Sequence, residues 1–115
     1  MYYSNGNYAM WVWAMKIRLI VPCEPFYYCG QTAIDHYGPA IASIAGGFTA
    51  TQGTGGWNNA DGVLVVEPVT VFDCYVVPDG EVCGRFLQLA QKIAKELKQD
   101  CVYLEIDSIV QLVKP

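Results

Sequence analysis

Residues 62–77, GVLVVEPVTVFDCYVV, constrain what this chain can fold into more than any other stretch. They are rich in β-branched and aromatic side chains and read as one long strand. Alternate residues of a strand face opposite sides. One set here is Val63, Val65, Val69 and Val71, and the other is Leu64, Val66, Phe72 and Val76. Which set faces which way depends on Glu67–Pro68, where a proline unable to donate to a ladder predicts a bulge or bend. Both sets are apolar. An antiparallel strand with one wet face should alternate with polar residues, so both faces of this one need cover.

Helices supply one cover. Residues 80–99 form the clearest element: Phe86, Leu89, Ala90, Ile93, Ala94 and Leu97 make one apolar stripe, Lys92, Lys95 and Lys98 stay outside, and Asp79 can cap the start. A weaker helix is predicted over 31–47 from Ile34, Tyr37, Ile41 and Ile44. Thr32 is its candidate cap, Gly46–Gly47 its stop, and Pro39 a kink or late start. Further strands fall at 16–21 (Ile17, Leu19 and Val21 on one face, closed by Pro22), 48–52 and 101–107 (Val102, Leu104 and Ile106 inward). The tail at 108–115 either extends the last strand or folds back.

The order β-α-β-β-α-β is the split βαβ pattern of the ferredoxin-like fold. It implies an α+β domain whose antiparallel sheet has four strands, the first and third central, with both helices on one face. The 115 residues suffice for one such domain, 15–115, after an aromatic extension at 1–14. With two helices on one side, the other side of the sheet is expected to meet a second copy, as a homodimer, or the extension.

Composition excludes several function classes. A net charge of −4 gives no broad basic footprint for nucleic acid, which is not expected as a partner. The run YAMWVWAMKIRLIVP is broken by Lys16 and Arg18, so neither a signal peptide nor a membrane span fits. Five cysteines, an odd number without a C-x-x-C pair, read as reduced structural thiols of a cytoplasmic protein. The spacing of Cys23, Cys29 and His36 matches no common zinc module, and His36 reads as a helix-surface residue. A nucleophile–base pair of His36 with Asp35 and a cysteine lacks any strained elbow motif. Cys83, in the first turn of a helix, would have its thiol pKa lowered by the helix dipole. Asp79 and Glu81 oppose that, so it reads as structural. No metal or cofactor is expected.

The stretch QGTGGWNNADG, 52–62, raises the question of a phosphate-cradling loop. Such a loop leads into a helix whose free N–H groups face the anion, and here a strand follows. A flexible hairpin connection, with Gly, Asn and Asp supplying positive φ, fits better. Trp57 then stands out, because an indole on a hairpin tip needs the domain's own core edge, a partner or a ligand.

Trp57, Asn58 and Asn59 on the hairpin are therefore candidate binding residues, joined by Glu67, Asp73, Tyr75 and Arg18 on the strands. If Glu67 and Asp73 share the open face, carboxylates gather there and could bind a metal or act as acid and base. Ordinary cross-strand pairing, with Arg18 opposite Glu105, is the competing account.

The residues GGFTATQGTGGWNNADGVLVVEPVTV, followed by a helix and QDCVYLEID, resemble a loose group of small proteins encoded by phages, plasmids and some bacterial genomes. The shared pattern is Gly-Gly before a short strand, G-x-G-G-W, D-G and E-P-V-x-V, over roughly 15–107, and the aromatic extension lies outside it. No activity is agreed for the group. The resemblance implies a mobile-element accessory protein with the ferredoxin-like fold.

Two classes of function follow. The favoured one is a small binding protein that engages a macromolecule or small ligand through its sheet face or hairpin, with interference in antiviral defence as a candidate role. The alternative is a small dimeric, cofactor-independent enzyme of the oxygenase type, with a pocket on the open sheet face. Trp57, His36, Asp73 and Tyr75 would be its polar groups. An open pocket lined by convergent polar groups discriminates the second class from the first.

Overall fold

Ile17, Leu19 and Val21 alternate with Lys16, Arg18 and Ile20, and this period of two builds the middle strand of the sheet. A computed structural model describes residues 13–22 and 32–115. The elements are β1 (Met15–Pro22), α1 (Ala33–Ala45), β2 (Thr49–Asn58), β3 (Leu64–Val76), α2 (Gly80–Glu96), β4 (Val102–Ile106) and β5 (Ile109–Val113). Residues 1–12 of the expected extension, and the 23–30 loop with Cys23 and Cys29, lie outside the described residues.

The fold is α+β, with an antiparallel sheet in the order β2-β3-β1-β4-β5. The first and third strands sit between others, as expected. The sheet has five strands, not the four expected. The tail folds back as β5 through Asp107 and Ser108, both at positive φ (51° and 72°), the conformation that a two-residue hairpin turn demands.

Two more expectations are corrected along the hairpin. The glycine-rich stretch is mostly strand, because β2 runs unbroken to Asn58 and only 59–63 turn. Of its glycines only Gly62 has a positive φ, 77°. The bulge at Glu67–Pro68 is absent, since the β2–β3 register runs evenly from Thr49↔Asp73 through Thr54↔Pro68 to Asn58↔Leu64. β1 pairing ends at Pro22↔Val69, so from Pro68 outward β3 has one side where a missing N–H removes no ladder bond.

Both helices pack on one face. Phe86, Leu89, Ala90, Ile93, Ala94 and Leu97 of α2 and its end are buried, the stripe read from sequence, and Asp79 caps α2 by accepting from the Glu81 N–H at 2.9 Å. In α1 the buried set is Ala33, Tyr37, Gly38 and Ile41. Thr32 and Asp35 form a capping box, and Gly46, at φ 85°, closes the helix. These side chains join Ile17, Leu19, Val21, Phe72, Cys74, Val102 and Leu104 in one core. Phe48 meets Phe72 edge to face, centroids 5.3 Å apart.

Candidate functional site

Without a bulge, register alone assigns the open face of the sheet. Arg18 lies opposite both Asp73 and Glu105, and Asp73 opposite Thr49, which makes one polar rung. The next rung is Thr51, Val71, Ile20, Tyr103 and Leu112, mostly apolar. Then come Gly53, Val69 and Pro22, followed by Gly55 with Glu67 and Trp57 with Val65. Glu67 and Asp73 thus share this face, while Leu64, Val66, Phe72 and Val76 point to the helix side. The face is mixed, with Val69 buried and carboxylates between the valines, so it is not the bare apolar surface read from the strand.

A pocket of about 430 Å³ opens where β1 ends. Ile20, Pro22 and Val69 line it from the sheet, Trp57 and Glu67 from the hairpin, and Tyr103 and Leu112 from β4 and β5. The backbone of Gly55 and Gly56 and the segment Gln99–Val102 complete it. The glycines belong to this pocket and not to a phosphate loop. A Cβ on Gly55 would come 3.0 Å from Val69 Cγ1, closer than side chains pack. Trp57 is 44% exposed, a half-open aromatic wall.

The other candidates are dispersed. Asp73 and Tyr75 line a second, shallow depression of about 410 Å³ beside Gly46, Gly47 and Phe48. Asp73 is held by Arg18, whose Nε donates to Oδ1 at 2.7 Å and Nη2 to Oδ2 at 3.0 Å. That bidentate bond keeps the Asp73 carboxyl below the usual range. The expected Arg18–Glu105 opposition is real in register, but the guanidinium chooses Asp73, and Glu105 accepts from the Tyr103 hydroxyl at 2.9 Å. This bond raises the Tyr103 pKa. Asn58 points to the helix side, opposite Leu64. Asn59 shapes the turn, its Oδ1 accepting from the N–H groups of Asp61 (2.9 Å) and Val63 (3.0 Å).

Sequence reasoning missed Asp100, Gln99, Tyr103 and Leu112 as pocket residues. The signal for Tyr103 was present, since it alternates with the inward Val102 and Leu104. Asp100 precedes its strand and carries no periodic signal. His36 sits at the helix surface, its Nε2 3.4 Å from Glu96 Oε2, which also accepts from the Tyr37 hydroxyl at 3.1 Å. Cys74, Cys83 and Cys101 are free thiols. The half-buried Cys83 has its Sγ 3.9 Å from Met15 Sδ. Among the described residues no group of three metal-ligating side chains converges, and no helix is long and apolar enough to cross a membrane.

The fold and site define a two-layer α+β domain with a ligand-sized pocket on the side of its sheet opposite the helices. Two solved structures share that fold. A phage SAM lyase in complex with S-methyl-5'-thioadenosine superposes with a TM-score of 0.62 at 19% identity, over 85% of this chain and 84% of that one. A phage SAM lyase in the apo state gives 0.60 at 20% identity, over 96% and 90%. No family model and no curated protein matches the chain.

Proposed function

We propose that this chain is a mobile-element accessory protein that binds S-adenosylmethionine (SAM) in the open-face pocket and cleaves it, releasing S-methyl-5'-thioadenosine. The observation that carries this reading is the placement of Glu67 in a pocket with an aromatic wall and an apolar floor. The pocket belongs to a fold shared, over most of the chain, with a phage SAM lyase. Trp57 offers a π face for adenine, and the Glu67 carboxylate offers a counter-charge for a sulfonium. A sulfonium is already an activated leaving group. As the bond from sulfur to the four-carbon amino-acid chain breaks, its electron pair returns to sulfur and the neutral thioether departs, while the substrate's own carboxylate oxygen bonds the carbon so vacated and closes a lactone, so that step needs no cofactor. Depleting a methyl donor suits an anti-defence role in the cytoplasm, and the G-x-G-G-W and E-P-V-x-V motifs that suggest a mobile-element origin hold Trp57 and Glu67 themselves.

The first four strands, in the order β2-β3-β1-β4, support reading the body as a ferredoxin-like core to which β5 is added. Association with a second copy through the sheet belongs to the same reading, supported by exposed Tyr75, Val110 and Leu112 on the open face.

The test is chromatography of SAM incubated with purified protein. Wild type should form S-methyl-5'-thioadenosine well above the spontaneous rate. Glu67→Gln should lower that rate about 100-fold or more, compared at a temperature where a thermal melt shows the variant folded. No product above the spontaneous rate from folded wild-type protein would reject the lyase reading.

A further inference from the structure

We propose that Asp100, together with Glu67, makes the open-face pocket a charge filter that accepts a positively charged nucleoside and rejects a phosphorylated one. The identity of the nucleoside rests on the SAM reading above; the sign of the charge does not. The charged side chains among the described residues lining the pocket are Glu67 and Asp100, both carboxylates. The chain has seven Lys and Arg residues and one His: Lys16, Arg18, His36, Arg85, Lys92, Lys95, Lys98 and Lys114. All are among the described residues, and none lines the pocket. Segments 1–12 and 23–31 contain no Lys, Arg or His, so they add no cationic side chain to it. Arg18, on the same face, is bound to Asp73 at 2.7 Å.

A nucleotide site needs cationic side chains or free helix N–H groups for its phosphates, and this pocket is walled by strands and two acids. Ile20 and the buried Val69 give the pocket an apolar floor beside the half-buried Glu67, so a ligand's charge counts for most there, while the exposed Asp100 adds a solvent-screened charge of the same sign. Trp57 adds a face that attracts cations as well as adenine. The filter also favours release of the product. A sulfonium is held by both carboxylates, and the neutral thioether formed from it is held by neither.

Two matched pairs of uncleavable probes test this on the full chain by equilibrium titration. Sinefungin carries an ammonium where S-adenosylhomocysteine has a neutral thioether, and AMP differs from adenosine by its phosphate. Wild type should prefer sinefungin to S-adenosylhomocysteine by about tenfold, and adenosine to AMP by at least as much. Asp100→Asn, at an exposed position outside the core, should reduce the first preference about fivefold without changing the melting temperature. An equal loss of affinity for both members of the first pair would overturn the filter and make Asp100 a neutral contact. So would AMP binding as tightly as adenosine, or neither sinefungin nor S-adenosylhomocysteine binding. Charge preference without SAM cleavage would leave the filter standing and remove the lyase reading. Cleavage without charge preference would do the reverse.

Discussion

Gly53 and Gly55 sit two residues apart on one face of β2, beside the same valine, yet alanine at each should have opposite effects. Neither has the positive φ that would strain an L-residue. Replacing a strand-interior glycine by alanine then removes unfolded-state entropy worth about 0.5–1 kcal/mol. At Gly53 the new Cβ would meet Val69 Cγ2 at 3.6 Å, an ordinary contact, and the full gain should appear. At Gly55 it would meet Val69 Cγ1 at 3.0 Å. Val69 is 7% exposed and has little room to withdraw. Overpacking of this kind costs about 1–3 kcal/mol, which outweighs the entropy gain. The two variants should therefore differ by about 1–3 kcal/mol, near 4 °C in melting temperature for each kcal/mol in a domain of this size. Parallel thermal melts of wild type, Gly53→Ala and Gly55→Ala measure it. Equal upward shifts in both variants would refute the claim that Val69 closes the space at Gly55.

Further outcomes follow from individual side chains. Burial pushes the Cys74 thiol up to about 11, so at about pH 8 a thiol reagent should label half-buried Cys83 and Cys101 in native protein and Cys74 only after unfolding. Native labelling of Cys74 at the rate of the others would contradict its place in the core. Asp73 has its pKa lowered by the Arg18 hydrogen bond, so its contribution to stability is present above the ordinary carboxylate value of 3.8 and is lost as pH falls through the lower folded value. Asp73→Asn should flatten that part of the acid-side decline in melting temperature, and an unchanged acid limb would count against the pair. Light scattering at micromolar concentration should give the mass of a homodimer, and a strict monomer would remove the second copy from the reading.

The order of elements was legible because each has its own period. The α2 stripe from Phe86 to Leu97 and the alternation of Ile17, Leu19 and Val21 require only local spacing. β2 was not legible beyond Gln52, since GTGGWN has little strand propensity and is held extended by pairing with Leu64–Val69, a tertiary cause. The tail's reversal depended on left-handed Asp107 and Ser108, which tolerate that conformation without announcing it. For the site, Trp57 and Glu67 could be singled out as an odd indole and a strand carboxylate. Asp73, Tyr75 and Arg18 were chosen by the same criteria yet lie a rung or more away, because face and register together decide which carboxylates meet. Asp100 lines the pocket from the turn before β4, and that neighbourhood exists only once β4 has paired with β1.

The two outermost strands have a consequence for solubility. β2, Thr49–Asn58, and β5, Ile109–Val113, carry no charged residue, and among the described residues each leaves one row of backbone N–H and C=O groups without a neighbour in the sheet. Lysine or a bulge usually guards such an edge. If β5 of one molecule joined β2 of the next, the contact would be heterologous, closing into a ring where the rotation between copies allows it and otherwise growing a ribbon. Lysine substituted for exposed Val110 or Leu112 would place a guard at the β5 edge.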